Sequence, residues 1–90
     1  MIIVRIPAPL KNVTSGQQEF SFDAASVGSA LEQLFERFPA LRERFRAPTG
    51  ELRRTLLFYV NAEDIRHLEG ESTPLQPGDE LNIVPANAGG

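Results

Sequence analysis

The residues with the clearest capacity for chemistry stand at the end of the chain, in "VPANAGG". Gly89 and Gly90 have no Cβ, so they can enter a channel too narrow for other residues and adopt either sign of φ. The segment 86–90 spans on the order of 17 Å when extended. An enzyme that uses ATP could convert the unhindered Gly90 carboxylate to an acyl-adenylate, which another nucleophile could displace. The alternative is a frayed terminus, which many domains have.

The only histidine, His67, lies in an acidic segment that could suggest a metal site. Its acidic neighbours are Glu63, Asp64, Glu69 and Glu71. They follow no regular ligand spacing, and a single histidine is a poor transition-metal signal. We therefore predict an acidic, solvated turn and no metal site.

Other catalytic patterns are absent from the sequence. Thr14 and Ser15 have no GxSxG context, and no phosphate-binding glycine loop occurs. The chain contains no cysteine, which excludes disulfides, thiolate metal sites, a cysteine nucleophile and a ferredoxin cluster. The residues therefore show no pattern of an active site, and we expect no bound cofactor.

Six arginines in the middle of the chain have two interpretations: Arg37, Arg42, Arg44, Arg46, Arg53 and Arg54. They could bind an anion or nucleic acid, or they could form a solvated helix face paired with Glu32, Glu36 and Glu43. The second is favoured, because a net charge of −3 does not suit binding to a phosphate backbone. No nucleic-acid partner is expected.

The length of 90 residues indicates one domain. No stretch approaches the roughly 20 apolar residues that cross a bilayer, so no membrane association is expected. The lack of cysteine favours a reducing compartment, and we expect a cytoplasmic protein.

Alternating apolar residues predict four main strands. The segment "IIVRIP" places Ile2, Val4 and Ile6 inward, and "QEFSFD" places Phe20 and Phe22 on one face. In "TLLFYVN", Leu56, Phe58 and Val60 share a face, and in "ELNIVPA", Leu81 and Ile83 point inward. Between these last two, Ile65, Leu68 and Leu75 are expected to lie beneath the sheet.

One main helix follows the first two strands. Its apolar stripe is Val27, Ala30, Leu31, Leu34, Phe35 and Phe38. Ser26 is the expected N-cap, and Pro39 predicts a second, short helix at "PALRERF".

This element order predicts an α+β fold with one main helix and a short second helix on a mixed sheet of four to five strands. The expected architecture is a ubiquitin-like β-grasp roll. We predict a domain over 1–85 and a flexible C-terminal tail over 86–90. The sheet face without helices then exposes apolar residues, which indicates a partner-binding surface. Its predicted members are Ile3, Leu57, Tyr59, Val84 and Pro85.

With that fold and the terminal "AGG", the chain resembles the MoaD/ThiS-like sulfur-carrier proteins. The resemblance covers the element order of the whole chain and is sharpest in "YVNAEDIRHLEG", "TPLQPGDELNIVPA" and the tail. It implies that an E1-like adenylyltransferase uses ATP to activate Gly90, that sulfur is then carried on Gly90 as a thiocarboxylate, and that Gly89, Ala88 and Asn87 lie in a partner's channel. The carrier would be a co-substrate of other enzymes.

The ending "IVPANAGG" looks most like carriers for cysteine biosynthesis, which supply sulfur to a pyridoxal-phosphate cysteine synthase. A metalloprotease that releases the product from the tail is a further candidate partner. Two other branches stay open: the small subunit of molybdopterin synthase, whose acceptor is the large subunit, and the thiamin sulfur carrier. Asn87 departs from the hydrophobic residue expected there. A ubiquitin-like modifier conjugated to lysines is a separate alternative, and a pure interaction module is another.

Overall fold

A five-stranded mixed sheet forms the frame of the protein in the computed structural model, which describes residues 1–86. The strands are β1 (Ile2–Arg5), β2 (Glu19–Phe22), β3 (Leu56–Val60), β4 (Glu63–Asp64) and β5 (Glu80–Pro85). Their order across the sheet is β2-β1-β5-β3-β4. The neighbours β1 and β5 run parallel, and every other pair is antiparallel. The first and last strands of the chain, β1 and β5, thus lie side by side inside the sheet.

Two helices cover one face of this sheet. Helix α1 (Val27–Arg37) begins at Ser26, whose Oγ accepts a hydrogen bond from the Ser29 N–H at 3.2 Å, as the capping pattern predicts. Helix α2 (Ala40–Phe45) follows Pro39 directly. Neither helix, nor any other in the described part of the chain, has the length and apolar character needed to cross a bilayer.

The core lies between the helices and the sheet, and it contains the inward residues that the alternation predicts. Ile2, Val4, Ile6, Phe20, Phe22, Phe58, Val60, Leu81 and Ile83 are all buried. The α1 stripe is buried from Val27 to Phe35, and Phe38 packs at the edge of the core. The rings of Phe35 and Phe58 both meet Phe45 edge to face, with centroids 5.5 and 5.9 Å away.

The segment between β4 and β5 differs from the sequence-based expectation at Leu68. Ile65 and Leu75 are buried as predicted, but Leu68 is 37% exposed, so its predicted position beneath the sheet is wrong. The short 3-10 helix Ile65–His67 ends just before Leu68, whose φ of −115° and ψ of −131° lie outside helical geometry. The side chain therefore lines a surface cavity with Val60 and Pro74.

Candidate functional site

The last described strand, β5, ends beside the first residue of β3. Strand β5 pairs with β3 to its last residue, Pro85, opposite Leu56. One residue later, the Ala86 N–H donates a hydrogen bond to the Thr55 carbonyl oxygen at 2.9 Å. The predicted tail residues Asn87, Ala88, Gly89 and Gly90 lie outside the described residues. The pairing therefore defines where the tail is rooted, at the Thr55–Ala86 bond.

Pro85 fits in β5 because its missing N–H removes no bond to β3. In an antiparallel ladder, alternate residues direct their backbone polar groups to the same neighbour. Since Ala86 bonds β3, the Pro85 nitrogen faces the β1 side, where pairing has already ended at Asn82. A proline is tolerated at such a position, and β5 can continue to the root of the tail.

Four of the five predicted partner-binding residues lie on the sheet face opposite the helices, called here the outer face. Leu57 lies directly opposite Val84, and Tyr59 lies opposite Asn82. Leu57 and Tyr59 are half-buried, whereas Val84 is exposed. The alternation of side chains places Pro85 on the other face, next to Leu56.

The fourth residue, Ile3, is separated from Leu57 and Val84 by a polar group on the same face. Ile3 pairs with Glu80, and the next outward residue of β1 is Arg5, in register with Asn82. The Arg5 guanidinium bonds Glu19 at 2.9 Å, and it also bonds Glu80 and Asn82. The apolar part of the outer face near the tail is therefore Leu57, Tyr59 and Val84. Alternation predicts that Arg5 points outward, but no local pattern predicts its partners.

Beside Tyr59, the outer face continues to a buried carboxylate on β4. Asp64 lies opposite Tyr59, and its side chain is only 7% exposed. Arg66 binds both of its oxygens, with distances of 2.7 to 3.2 Å. These side-chain hydrogen bonds lower the pKa of Asp64. The prediction that the whole acidic segment is solvated is thus wrong for Asp64, because Arg66 compensates its burial.

The described residues contain no group of three potential metal ligands among His, Asp and Glu side chains. Glu71, which the sequence grouped with His67, belongs to another site: both of its carboxylate oxygens accept from Arg46, at 2.7 and 2.9 Å.

The predicted pairing of the arginines with helix carboxylates is partly confirmed. Glu32 binds Arg42 at 2.8 Å and Arg46 at 3.0 Å. The carboxylates of Glu36 and Glu43 form no ion pair within residues 1–86. Arg53 instead donates from Nε to the Glu43 backbone carbonyl at 2.9 Å. The Arg46–Glu71 pair could not be predicted from helix spacing, because the two residues are 25 positions apart in the sequence.

Comparisons with known proteins agree with this geometry. The model of the ThiS family matches residues 4–90. The sulfur carrier protein CysO of Mycobacterium tuberculosis is 35% identical over 91 residues, which cover 99% of this chain and 98% of that protein. Small archaeal modifier protein 3 of Haloferax volcanii is 32% identical over 68 residues, 76% of this chain and 73% of that protein.

Among solved structures, the crystal structure of the BexX/CysO complex of Amycolatopsis orientalis contains a chain that superimposes with a TM-score of 0.88 at 31% identity, covering 100% of both chains. The predicted ubiquitin-like β-grasp fold and the predicted family are therefore confirmed.

Proposed function

The chain belongs to the ThiS family, and from that membership we propose that it is a sulfur carrier whose Gly90 is adenylated and then converted to a thiocarboxylate. The observation that carries the proposal is the family match, which extends from residue 4 through Gly90. A relative named a sulfur carrier protein, matched along 98% of its own length, supports the same function.

The proposed chemistry begins with the Gly90 carboxylate. A carboxylate oxygen attacks the α-phosphorus of ATP in the activating enzyme, which forms the acyl-adenylate and releases pyrophosphate. A hydrosulfide equivalent then attacks the carbonyl carbon, the C–O bond to the adenylate breaks, AMP leaves with that oxygen, and the sulfhydryl proton is released. The product is a thiocarboxylate, which is ionised and nucleophilic at neutral pH, as a thiolate is.

Partner enzymes would recognise the folded domain, which holds the tail in position. The bond between Ala86 and Thr55 anchors the root of the tail to β3. Leu57, Tyr59 and Val84 would face the E1-like adenylyltransferase, while Asn87, Ala88 and Gly89 would lie in its channel. Holding the reactive terminus at a defined place lowers the entropic cost of bringing it to ATP and later to the acceptor.

For the acceptor, we propose a cysteine synthase that uses pyridoxal phosphate, because relatives named CysO match this chain over nearly its whole length. The alternatives are the large subunit of molybdopterin synthase and the thiamin pathway. Incubating the sulfur-loaded protein with each acceptor separates them. We expect the sulfur to appear in free cysteine after release from the tail, and its transfer only to a molybdopterin precursor would contradict this branch.

A second candidate function is protein modification, which the similarity to small archaeal modifier protein 3 favours. Protein modification would pass through the same Gly90 acyl-adenylate as sulfur transfer. The amine of a target lysine would then displace AMP and form an amide with Gly90. The product would be this chain attached to another protein.

Intact mass spectrometry after incubation with the organism's E1-like enzyme, ATP and a sulfide donor tests the proposal. We expect a mass gain equal to the exchange of one oxygen for one sulfur. A truncated variant without Gly89 and Gly90 is the control, and it should gain nothing. If Gly90 instead becomes linked to lysines of other proteins and no thiocarboxylate forms, the protein is a modifier.

A further inference from the structure

A small cavity of about 230 Å³ opens beside the root of the tail, between the start of β3 and the segment that follows β4. We call it the root cleft. Its apolar wall contains Leu52, Leu56 and Phe58, and its rim carries Arg53, Arg54 and Arg66. Two segments of the chain, 52–58 and 64–66, line it, so no pattern within a single element predicts it.

The root cleft lies where any protein that binds the tail must approach. Thr55, which accepts the hydrogen bond of Ala86, stands between the rim residue Arg54 and the wall residue Leu56. Gly90 is four residues beyond Ala86, a reach of about 14 Å when extended. An enzyme that holds Gly90 in its active site therefore has its surface close to the root cleft.

The charge of the root cleft is opposite to that of the protein. Three guanidinium groups against the one carboxylate of Asp64 leave a net charge of +2, whereas the whole chain carries −3. Arg66 is oriented by Asp64, and Arg53 by the Glu43 carbonyl. Arg54 is exposed, and its side chain forms no hydrogen bond or ion pair with any residue of the range 1–86. Donors on this rim are thus available to a partner.

We propose that the root cleft receives one apolar side chain of the activating enzyme, flanked by carboxylates that bind the arginine rim. This inference rests on the proposed function, because that function brings such an enzyme to the tail. An apolar anchor in a pocket with a polar rim is the usual anatomy of a binding hot spot. The paired charges would speed association and orient the tail before Gly90 enters the active site.

The size of the root cleft decides against a nucleotide as its occupant. Sites for small molecules and cofactors generally enclose about 300–1,000 Å³, more than the 230 Å³ present here. One large side chain fits this space. The apolar wall also gives no reason for a phosphate to enter, although the rim alone could attract one.

Charge reversal at Arg54 tests the rim. The dissociation constant between the full-length protein and the organism's E1-like enzyme is measured by calorimetric titration without ATP. We expect Arg54→Glu to weaken binding by about tenfold and Arg54→Lys to restore most of the loss. Arg44→Glu is the matched control, since Arg44 is an exposed arginine of α2 that does not line the root cleft. Equal effects of the two reversals would overturn the inference.

Filling the root cleft tests the wall. Leu52→Phe narrows the root cleft and should weaken binding to the enzyme. Leu68→Phe makes the same substitution in the surface cavity beside Val60 and Pro74, and it should leave binding unchanged. Unchanged binding of Leu52→Phe, with an unchanged thermal midpoint, would show that no apolar side chain enters.

These results are separable from a failure of the proposed function. If binding depends on Arg54 but no thiocarboxylate forms with ATP and sulfide, the docking inference stands and the sulfur-carrier function fails. If a thiocarboxylate forms while Arg54→Glu binds as the wild type does, only the inference fails. If the wild type does not bind the enzyme at all, both fail.

Discussion

Two groups of arginines in this protein differ in whether their side chains bind carboxylates of the same chain. The first group, on the helix side, is Arg42 and Arg46, which bind Glu32 and Glu71 and lie over the ring of Phe35. The second group is the rim of the root cleft, where Arg54 has no side-chain partner within the described residues. In the first group the donors are occupied by carboxylates of the same chain. In the second, part of them is left for another molecule.

The number of arginines in a stretch of sequence is therefore a poor guide to whether that stretch binds another molecule. Arg42, Arg46, Arg53 and Arg54 belong to the same run of cations in the sequence, and helix-face pairing was predicted for all four. What separates Arg42 and Arg46 from Arg54 is whether the fold supplies carboxylates within reach of the guanidinium. Arg46 is only 15% exposed and is satisfied by two glutamates, so it stabilises the fold. A rim arginine without such partners is free to serve recognition.

The largest effect on stability is expected for Arg46→Ala. The substitution leaves the Glu71 and Glu32 carboxylates without their shared cation and removes the contact with Phe35, so we expect a loss of about 2 kcal/mol in the free energy of unfolding. Urea unfolding measures it. Arg46→Lys keeps the charge but not the bidentate geometry, and it should lose less. A loss below about 0.5 kcal/mol for Arg46→Ala would mean that the two groups do not differ in this way.

A smaller loss is expected for Arg42→Ala, about 1 kcal/mol, from a partly exposed ion pair with Glu32 and a cation–π contact with Phe35. The double variant with Glu32→Gln measures how much belongs to the pair. If the two losses simply add, the Arg42–Glu32 bond contributes nothing and only the ring contact matters.

Acidification should weaken the helix-side group by a smaller amount still. The hydrogen bonds from Arg42, and then from Arg46, lower the pKa of Glu32 in the folded protein. Its stabilising contribution is therefore present above the unfolded pKa of about 4.3 and is lost as the pH falls through the lower folded value. We expect the free energy of unfolding to decline from about pH 5 downward, and less so in Arg42→Ala. An identical pH profile in the variant would contradict this assignment.

The smallest effect on stability is expected at the rim of the root cleft. Arg54→Ala should change the free energy of unfolding by less than about 0.5 kcal/mol, because an exposed side chain without internal partners is lost. Thermal and urea unfolding both measure it. A loss above about 1 kcal/mol would reveal an internal role for Arg54 and remove the contrast between the two groups.

Much of the fold was predictable because its signals are local. Alternation in β1 and β3 placed Ile2, Val4 and Phe58 inward, and helical spacing identified the buried stripe of α1. The exposure of Leu68 was not predictable, since it depends on where the preceding 3-10 helix ends. Of the predicted site, Leu57, Tyr59 and Val84 lie on the outer face as alternation predicts, Pro85 lies on the other face, and Gly90 and its neighbours stay a prediction.

The sequence by itself determined the periodicity of the strands and of α1, the cap at Ser26 and the glycine pair at the terminus. These properties follow from the geometry of consecutive residues. Only the tertiary structure decided which carboxylates Arg42 and Arg46 meet, and that Leu52, Phe58 and Arg66 enclose one cavity. The reason is physical: such contacts join residues distant along the chain, and they exist only once the packing of the sheet and helices brings the segments together.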